Sequence, residues 1–303
     1  MNNKDSNKIF LKETFGGIMQ KYGEAIRGIR KSRGMTQKYI GKGILSQAAF
    51  SKYERGLTDI HSSAFIQILE RLGMSLEEFE YVYYGYSYPT TKKIFYKFFN
   101  FPYSRVEDLN ELIIEIDACL LEQPIEDLVN IKRICNALIC LNQEKDIQKA
   151  RDYVEPIWIK LSKLDQWFYT DILFINAILY FFPNDVATEM AKNVLSKIEN
   201  YKDFQDSNQL KITLKINLSL LLIKERDYHT TLNLLEDTLK MHKQSMSYQS
   251  LALIFNRIAI CRKMLNIEKE VYYLDQATLL LKIYDQQVLL QQLIQEYEHY
   301  TNI

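Results

Sequence analysis

Residues 46–56 have the sequence SQAAFSKYERG, which predicts a short helix with a signal at each end. Ser46 is a favourable N-cap, and Gly56 can end the helix in the left-handed conformation. Helical spacing places Phe50 and Tyr53 on one side, and we assign them to the core. The outer side then holds Gln47, Ala48 and Lys52. The stretch is therefore expected to be an amphipathic helix with a small polar face near its N-terminus.

Four more short helices are predicted around this one, each bounded by a capping residue or a glycine. The first begins near Lys21 and ends at Gly34, the second is capped by Thr36, the fourth covers residues 62–72, and the fifth is capped by Ser75. A tight turn separates the second helix from the third. Five short helices in this arrangement are typical of a helix-turn-helix domain.

Basic and acidic residues are unevenly distributed along the chain. The net charge is zero, yet residues 18–73 contain ten basic and four acidic side chains, whereas residues 74–303 carry a net charge of −7. A basic helix-turn-helix domain favours an anionic partner, and double-stranded DNA fits this motif. We therefore place a DNA-binding domain at residues 19–84.

The third helix should enter the major groove with its N-terminal residues at the base edges. Glutamine can bond adenine, lysine can reach guanine, and alanine can contact a thymine methyl group, so the candidate base contacts are Gln47, Ala48 and Lys52. The candidate phosphate contacts flank helix N-termini or the exit turn, and they are Thr36, Gln37, Ser46 and Arg55. The alternative for each is a solvated side chain or a simple cap. Because one recognition helix covers only a half-site, we expect a homodimer.

Three motifs resemble the Cro/repressor-type helix-turn-helix superfamily. They are RxxRGMTQ at 30–37, SQAAFSKYERG at 46–56 and LxRLGMSLEEF at 69–79. In that superfamily a glutamate of the third helix pairs with an arginine before the first glycine, so the resemblance implies an Arg30–Glu54 ion pair. A buried pair of this kind would fix the geometry of the two helices more than it would add net stability.

Glycine is confined to the N-terminal part of the chain, since all ten glycines lie at or before Gly85. Its later absence argues against a Rossmann fold, a P-loop or an all-β fold there, and helical periodicity continues to the C-terminus. Residues 85–103 contain two prolines and many aromatic residues, which predicts a packed linker with one short helix. The chain is therefore expected to be all-α, with a second helical domain at 104–303.

Polar turns interrupt this second domain at a regular interval. The turn markers Asp146, Asp185, Asp227 and Ile267 are 39, 42 and 40 residues apart. A period near 40 corresponds to two helices and two turns. We therefore predict a degenerate, tetratricopeptide-like, right-handed helical repeat array.

Four asparagines follow the same interval, each inside an otherwise apolar first helix of its repeat. They are Asn136, Asn176, Asn217 and Asn256, with spacings of 40, 41 and 39 residues. Asparagine is costly to bury without a partner, and its amide can bond a peptide unit. These residues are candidate peptide-binding residues along one face of the array. The alternative is that they join helices within the stack.

A basic repressor-type domain followed by degenerate repeats resembles the Rgg family of Gram-positive transcriptional regulators. The resemblance covers the chain from about residue 20 onward. It implies a cytoplasmic homodimer that binds promoter DNA, and many members also bind a short imported signalling peptide in the repeat domain. Some relatives have no known peptide. A ligand-independent regulator and a protein-interaction repeat protein with a DNA-tethering domain therefore stay open as alternatives.

No catalytic, cofactor or metal site is predicted. The four histidines and four cysteines lack ligand spacing, and no nucleophile motif, phosphate loop or carboxylate pair is found. The longest apolar stretch, 172–182, has 11 residues, whereas a membrane-spanning helix needs about 20. We expect a cytoplasmic protein without a membrane partner. Residues 1–18 are a predicted N-terminal extension, and Met19 is an alternative start to Met1.

Overall fold

The computed structural model describes residues 21–100, 105–204 and 207–301. The predicted N-terminal extension and the alternative start at Met19 lie outside these residues. Every regular element in the described ranges is helical, which confirms the all-α prediction. The chain divides into two compact units, one ending at Lys97 and the other starting at Phe98, and this division falls inside the predicted linker.

The N-terminal unit contains the five helices that the sequence predicts. They are α1 (Tyr22–Ser32), α2 (Gln37–Gly41), α3 (Gln47–Glu54), α4 (Ser62–Leu72) and α5 (Leu76–Tyr83), and α6 (Thr90–Phe99) follows in the linker. The capping residues are those expected, since the hydroxyls of Thr36, Ser46 and Ser75 each accept a backbone N–H bond of 3.0–3.2 Å. Gly56 follows α3 with a φ of 67°. Local signals therefore set these helix ends.

One fully buried side chain from each of the five helices meets in a common core. These residues are Ile26, Ile40, Phe50, Ile68 and Phe79, all with 0–1% exposure. Burial of an aliphatic or aromatic side chain of this size contributes about 1.5–3 kcal/mol. The core therefore holds α3 against the other four helices and fixes which of its faces is exposed.

Helix α6 is fastened to α5 through Lys92. Its Nζ lies 2.8 Å from Glu80 Oε2 and 3.4 Å from Glu77 Oε1. The same ammonium lies 4.5 Å from the ring centroid of Tyr88 and 5.9 Å from that of Tyr96. The start of the predicted linker is therefore packed against the helix-turn-helix unit by ion pairs and cation–π contacts.

The C-terminal unit is a stack of helices. They are α7 (Val106–Glu122), α8 (Glu126–Gln143), α9 (Ile147–Leu161), α10 (Tyr169–Ile178), α11 (Asn184–Ile198), α12 (Ser207–Lys224), α13 (Tyr228–His242), α14 (Tyr248–Met264), α15 (Glu270–Ile283) and α16 (Gln287–Thr301). Helices α8/α9, α10/α11, α12/α13 and α14/α15 form four hairpins, whose first helices begin 38–43 residues apart. The hairpins confirm the predicted helical repeat array.

The first helices of the hairpins form one layer. Helix α8 contacts α10, α12 contacts α14, and α16 packs on α14 to extend the same layer. A side-chain hydrogen bond joins α10 to α12. We call α8, α10, α12, α14 and α16 the first-helix layer. All four predicted asparagines lie on it, one in each hairpin.

Three turns within hairpins use non-glycine residues with positive φ. Lys145, Arg226 and Asn266 have φ values of 56°, 60° and 52°. At the last two, the following N–H bonds the carbonyl five residues back, with N···O distances of 2.8–2.9 Å. This is a Schellman arrangement, which normally uses glycine. The left-handed conformation costs a residue with a Cβ about 1–2 kcal/mol, so the repeats tolerate some turn strain.

Candidate functional site

The exposed face of α3 carries the side chains that the sequence assigns to DNA. Ser46, Gln47, Ala48, Lys52 and Arg55 are all exposed. The opposite face is buried, since Phe50 is 0% and Tyr53 4% exposed, and burial raises the pKa of the Tyr53 hydroxyl. The helix therefore presents one polar face to solvent and fixes the other in the core.

A buried ion pair joins α3 to α1. Arg30 Nε donates to Glu54 Oε1 at 2.5 Å and Nη2 donates to Oε2 at 2.8 Å, while Nη1 donates to the Met35 carbonyl at 2.7 Å. Glu54 has no exposed surface. The hydrogen bond to Glu54 raises the pKa of Arg30, so the guanidinium is charged at any physiological pH. The pair implied by the resemblance is present.

The candidate phosphate contacts have different surroundings. The amide nitrogen of Gln37 donates to Glu54 Oε2 at 2.6 Å, so this half-buried side chain belongs to the buried network. Arg55 is exposed, and its Nε donates to the Ser51 carbonyl at 3.2 Å. Thr36 and Ser46 cap α2 and α3, where they are also exposed. Of the four, Gln37 has the most restricted side chain.

Helices α1 and α3 cross at Gly23, a residue that no motif of the sequence indicates. A Cβ at this position would lie 1.8 Å from the Tyr53 carbonyl oxygen, so only glycine permits the observed approach. Beside it, Lys21 Nζ donates to the Gly56 carbonyl at 2.5 Å. Backbone contact therefore supplements the Arg30–Glu54 pair in positioning α3.

Several basic residues of the N-terminal unit bind backbone carbonyls of other helices. Arg33 Nη1 donates to the Leu72 carbonyl. Arg71 Nη1 donates to the Ile40 carbonyl at 2.9 Å. These arginines satisfy carbonyls near helix C-termini, where a cation is favourable. Part of the positive charge counted in the sequence is thus used to hold the domain together.

In the C-terminal unit, two of the four asparagines bond each other. Asn217 Nδ2 donates to Asn176 Oδ1 at 2.8 Å, and the Tyr180 hydroxyl donates to Asn217 Oδ1 at 2.8 Å. All three side chains are half-buried. Burial raises the pKa of Tyr180, which keeps the phenol protonated as a donor. We call Asn176, Asn217 and Tyr180 the amide strip; it spans two neighbouring hairpins.

The other two asparagines lie in different environments. Asn256 is 0% exposed, and its Nδ2 donates to the Leu293 carbonyl of α16 at 3.2 Å. Its Oδ1 is buried without a partner in the described ranges. Because α16 covers it, Asn256 presents no surface to a ligand in this structure. Asn136 is half-buried on α8.

A second buried ion pair lies beside Asn256. Arg257 Nε and Nη2 donate to the two carboxylate oxygens of Glu296 at 2.8 and 3.1 Å, and Nη1 donates to the Ile216 carbonyl at 2.5 Å. Arg257 is 4% exposed. Burial lowers its pKa, but attraction to Glu296 outweighs this and the pKa is raised. The pair joins α12, α14 and α16, and the only sequence signal was a charge inside the apolar run IFNRIAIC.

Metal sites and membrane-spanning helices are not found in the described residues. Within the described residues, no group of three or more His, Cys, Asp or Glu is placed to hold a metal ion. No helix in that part of the chain combines the length and apolarity needed to cross a bilayer. Cys135, Cys140 and Cys261 are buried thiols.

Family comparisons identify both units. Residues 26–79 match a helix-turn-helix family. Residues 125–257 match the C-terminal domain of the HTH-type transcriptional regulator Rgg. The chain therefore combines a helix-turn-helix domain with the C-terminal domain of an Rgg-type transcriptional regulator.

Solved structures with a similar fold cover nearly the whole chain. A Listeria monocytogenes EGD-e protein described as a transcriptional regulator is 22% identical, with a TM-score of 0.72 and coverage of 94% of this chain and 100% of its own. The SHP pheromone receptor Rgg2 of Streptococcus dysgalactiae is 14% identical, with a TM-score of 0.70 and coverage of 92% and 99%. Bacillus thuringiensis PlcR, solved with the peptide PapR7 and DNA, is 15% identical, with a TM-score of 0.68 and coverage of 90% and 99%. At these identities the likeness establishes the fold.

Proposed function

We propose that this regulator binds promoter DNA as a homodimer and that a short signalling peptide, bound on the first-helix layer, controls that binding. The observation that carries the DNA-binding part is the exposed face of α3, held against α1 by the Arg30–Glu54 pair. A rigid helix with Gln47, Ala48 and Lys52 at its exposed side is suited to base contacts in the major groove.

The amide strip supports the peptide part. Asn176 and Asn217 occupy equivalent places in neighbouring hairpins and are partly exposed. Their amides can exchange the bond between them for bonds to the N–H and C=O groups of an extended peptide. Two similar structures support the same function, since PlcR was solved with the peptide PapR7 and DNA, and Streptococcus thermophilus ComR with DNA and its signalling peptide ComS.

Exposed apolar side chains near the C-terminus support homodimerisation. They lie on α15, α16 and the turn between these helices, are 51–67% exposed, and comprise Val271, Tyr272, Leu279, Ile283, Tyr284 and Val288. A cluster of large exposed apolar residues is typical of a protein–protein interface. We propose that a second copy of the chain covers it, because two recognition helices are needed for a two-fold DNA site.

Mapping of genome occupancy in the native host, with and without culture-conditioned medium, tests the proposal. Wild type should occupy a small set of promoters, and conditioned medium should change that occupancy or the transcription that follows. The double variant Asn176→Ala/Asn217→Ala should keep the basal sites and lose the response. A matched control is Asn193→Ala/Asn233→Ala, which removes exposed asparagines from the second helices α11 and α13.

The alternative functions predict different outcomes of these experiments. Occupancy without preferred sites would contradict DNA recognition by α3. Specific occupancy that never responds to the medium would indicate a ligand-independent regulator. A stoichiometric protein partner bound to the repeats, with no effect on transcription, would indicate an interaction protein.

A further inference from the structure

Lys224 lies at one end of the amide strip. It is the last residue of α12 and follows Asn217 by seven positions, which places both on the same face of the helix. Its Nζ lies 5.8 Å from the ring centroid of Tyr180, whose hydroxyl donates to Asn217. The Lys224 side chain is partly exposed. A ligand along the strip would therefore meet this ammonium group.

The Lys224 ammonium is not held by any of the carboxylates around it. Arg257 and Glu296 neutralise each other through their two-bond pair. The neighbouring Glu225 carboxylate is committed elsewhere, since its Oε1 accepts from Asn184 at 2.8 Å and from Thr188 at 2.9 Å. Lys224 forms no ion pair with any residue that the structure describes. The Lys224 ammonium is therefore available to an anionic ligand at this end of the strip.

The Lys224 ammonium is also partly desolvated. Partial burial of the ammonium lowers the pKa of Lys224, and the nearby Arg257 lowers it further. Glu296 acts in the opposite direction without cancelling these effects. An anion bound here would relieve the repulsion between Lys224 and Arg257, and the low local polarity would strengthen its attraction.

We propose that Lys224 binds a carboxylate of the peptide while Asn176 and Asn217 bond its main chain. The inference rests on the proposed peptide-binding function and adds the chemistry of the ligand and its position on the strip. The carboxylate comes either from the C-terminus of the peptide or from an aspartate or glutamate side chain. Both sources have the same anionic group and differ only in where the peptide ends.

Synthetic random octapeptides are a suitable probe, prepared as one library with a free C-terminal carboxylate and one with a C-terminal amide. The full-length protein is equilibrated with each library, and bound peptides are recovered by gel filtration and sequenced by mass spectrometry. Wild type should select peptides from the first library. Continued selection from the amidated library, with enrichment of Asp or Glu, assigns the carboxylate to a side chain, whereas loss of selection assigns it to the C-terminus.

Lys224→Gln should bind the selected peptides about tenfold more weakly, which corresponds to one lost charge-assisted hydrogen bond. Lys211→Gln is the matched control, because Lys211 lies on the same helix and is already paired with Glu199. Equal affinity of Lys224→Gln and wild type for the selected peptides would overturn the carboxylate site and leave peptide binding intact. Selection of no peptides from either library would overturn both proposals.

Discussion

Arg30 and Glu54 form a two-bond ion pair between α1 and α3, with donor–acceptor distances of 2.5 and 2.8 Å. Glu54 is completely buried and accepts a third bond from Gln37. Such a pair gains little net stability over an apolar replacement, because both charges lose their hydration. Its effect here is geometric, since it fixes the orientation of the helix that carries Gln47 and Lys52.

Removal of one partner should be far more damaging than replacement of both. Glu54→Ala leaves the Arg30 charge buried without its counterion, so we expect a loss of about 3–5 kcal/mol in the free energy of unfolding. Arg30→Met/Glu54→Leu should recover much of this loss. Urea unfolding, with hydrogen exchange to localise the effect to α3, measures both. A double variant less stable than Glu54→Ala would contradict this expectation.

The crossing of α1 and α3 gives a prediction with an internal control. Gly23→Ala places a Cβ 1.8 Å from the Tyr53 carbonyl oxygen, which forces the helices apart. We expect a loss of about 1–3 kcal/mol or more, the usual range for overpacking, together with weaker DNA binding. Gly28→Ala lies on the same helix with no atom within 4 Å of the new Cβ, and it should stabilise the protein by about 0.5–1 kcal/mol. Thermal unfolding measures the stability change in both variants. Equal changes in the two would contradict this prediction.

The helix ends could be predicted from the sequence because their causes are local. Ser46 and Gly56 bound α3 as the pattern indicated, and the predicted fourth helix coincides with α4. Only the immediate neighbours of a capping hydroxyl or a glycine determine whether it can end a helix. The repeat period could be predicted for a similar reason, because a polar turn recurs at a similar position in each hairpin.

The partners of charged and polar side chains could not be predicted in the same way. The sequence indicates a phosphate contact for Gln37, which stays a prediction, but it does not indicate that the Gln37 amide donates to Glu54, 17 residues away. Asn256 has the same spacing as Asn217, but α16 buries it. Such outcomes depend on which distant segment packs nearby, and helical periodicity identifies the buried face without identifying what covers it. The Arg257–Glu296 pair, 39 residues apart, had no local signal for its partner.

Base contacts and phosphate contacts should respond differently to mutation. Gln47→Ala should cost about 1–3 kcal/mol at a preferred DNA site and relax the preference at one base pair. Arg55→Ala should weaken binding to all sequences and reduce the salt dependence by about one phosphate contact. Selection of sites from random duplexes, followed by titration of the best site at several salt concentrations, measures both effects.

Lys163→Ala is a control for the loss of positive charge, because Lys163 is an exposed lysine of the C-terminal unit. It should leave the affinity and the site preference unchanged. An unaltered site preference in Gln47→Ala would mean that Gln47 does not contact a base edge. An unaltered salt dependence in Arg55→Ala would remove that residue from the phosphate contacts.

The contact between α5 and α6 should weaken in acid. Burial alone would raise the pKa of Glu77, but Lys92 and the hydroxyls of Tyr96 and Tyr88 outweigh it, so the pKa is lowered from 4.5. A lowered pKa in the folded state stabilises the protein above the unfolded value, and this stabilisation is lost as pH falls through the folded value. The Tm difference between wild type and Glu77→Gln should therefore be constant near neutral pH and shrink below pH 4.5. A difference that stayed constant into strong acid would show that the Glu77 carboxylate has no such effect.

Arg257 joins three helices of the first-helix layer. Arg257 holds both oxygens of Glu296 and also the Ile216 carbonyl, a geometry that requires the guanidinium fork. Lysine at this position has one nitrogen and would leave buried acceptors without donors, so Arg257→Lys should lower the free energy of unfolding by about 2–4 kcal/mol. Arg262→Lys is the matched control on the same helix, because the side chain of its partner Glu236 is 40% exposed, against 17% for Glu296, and the expected loss is below about 1 kcal/mol. Equal effects in urea unfolding would mean that charge alone, and not the shape of the guanidinium, holds α12, α14 and α16 together.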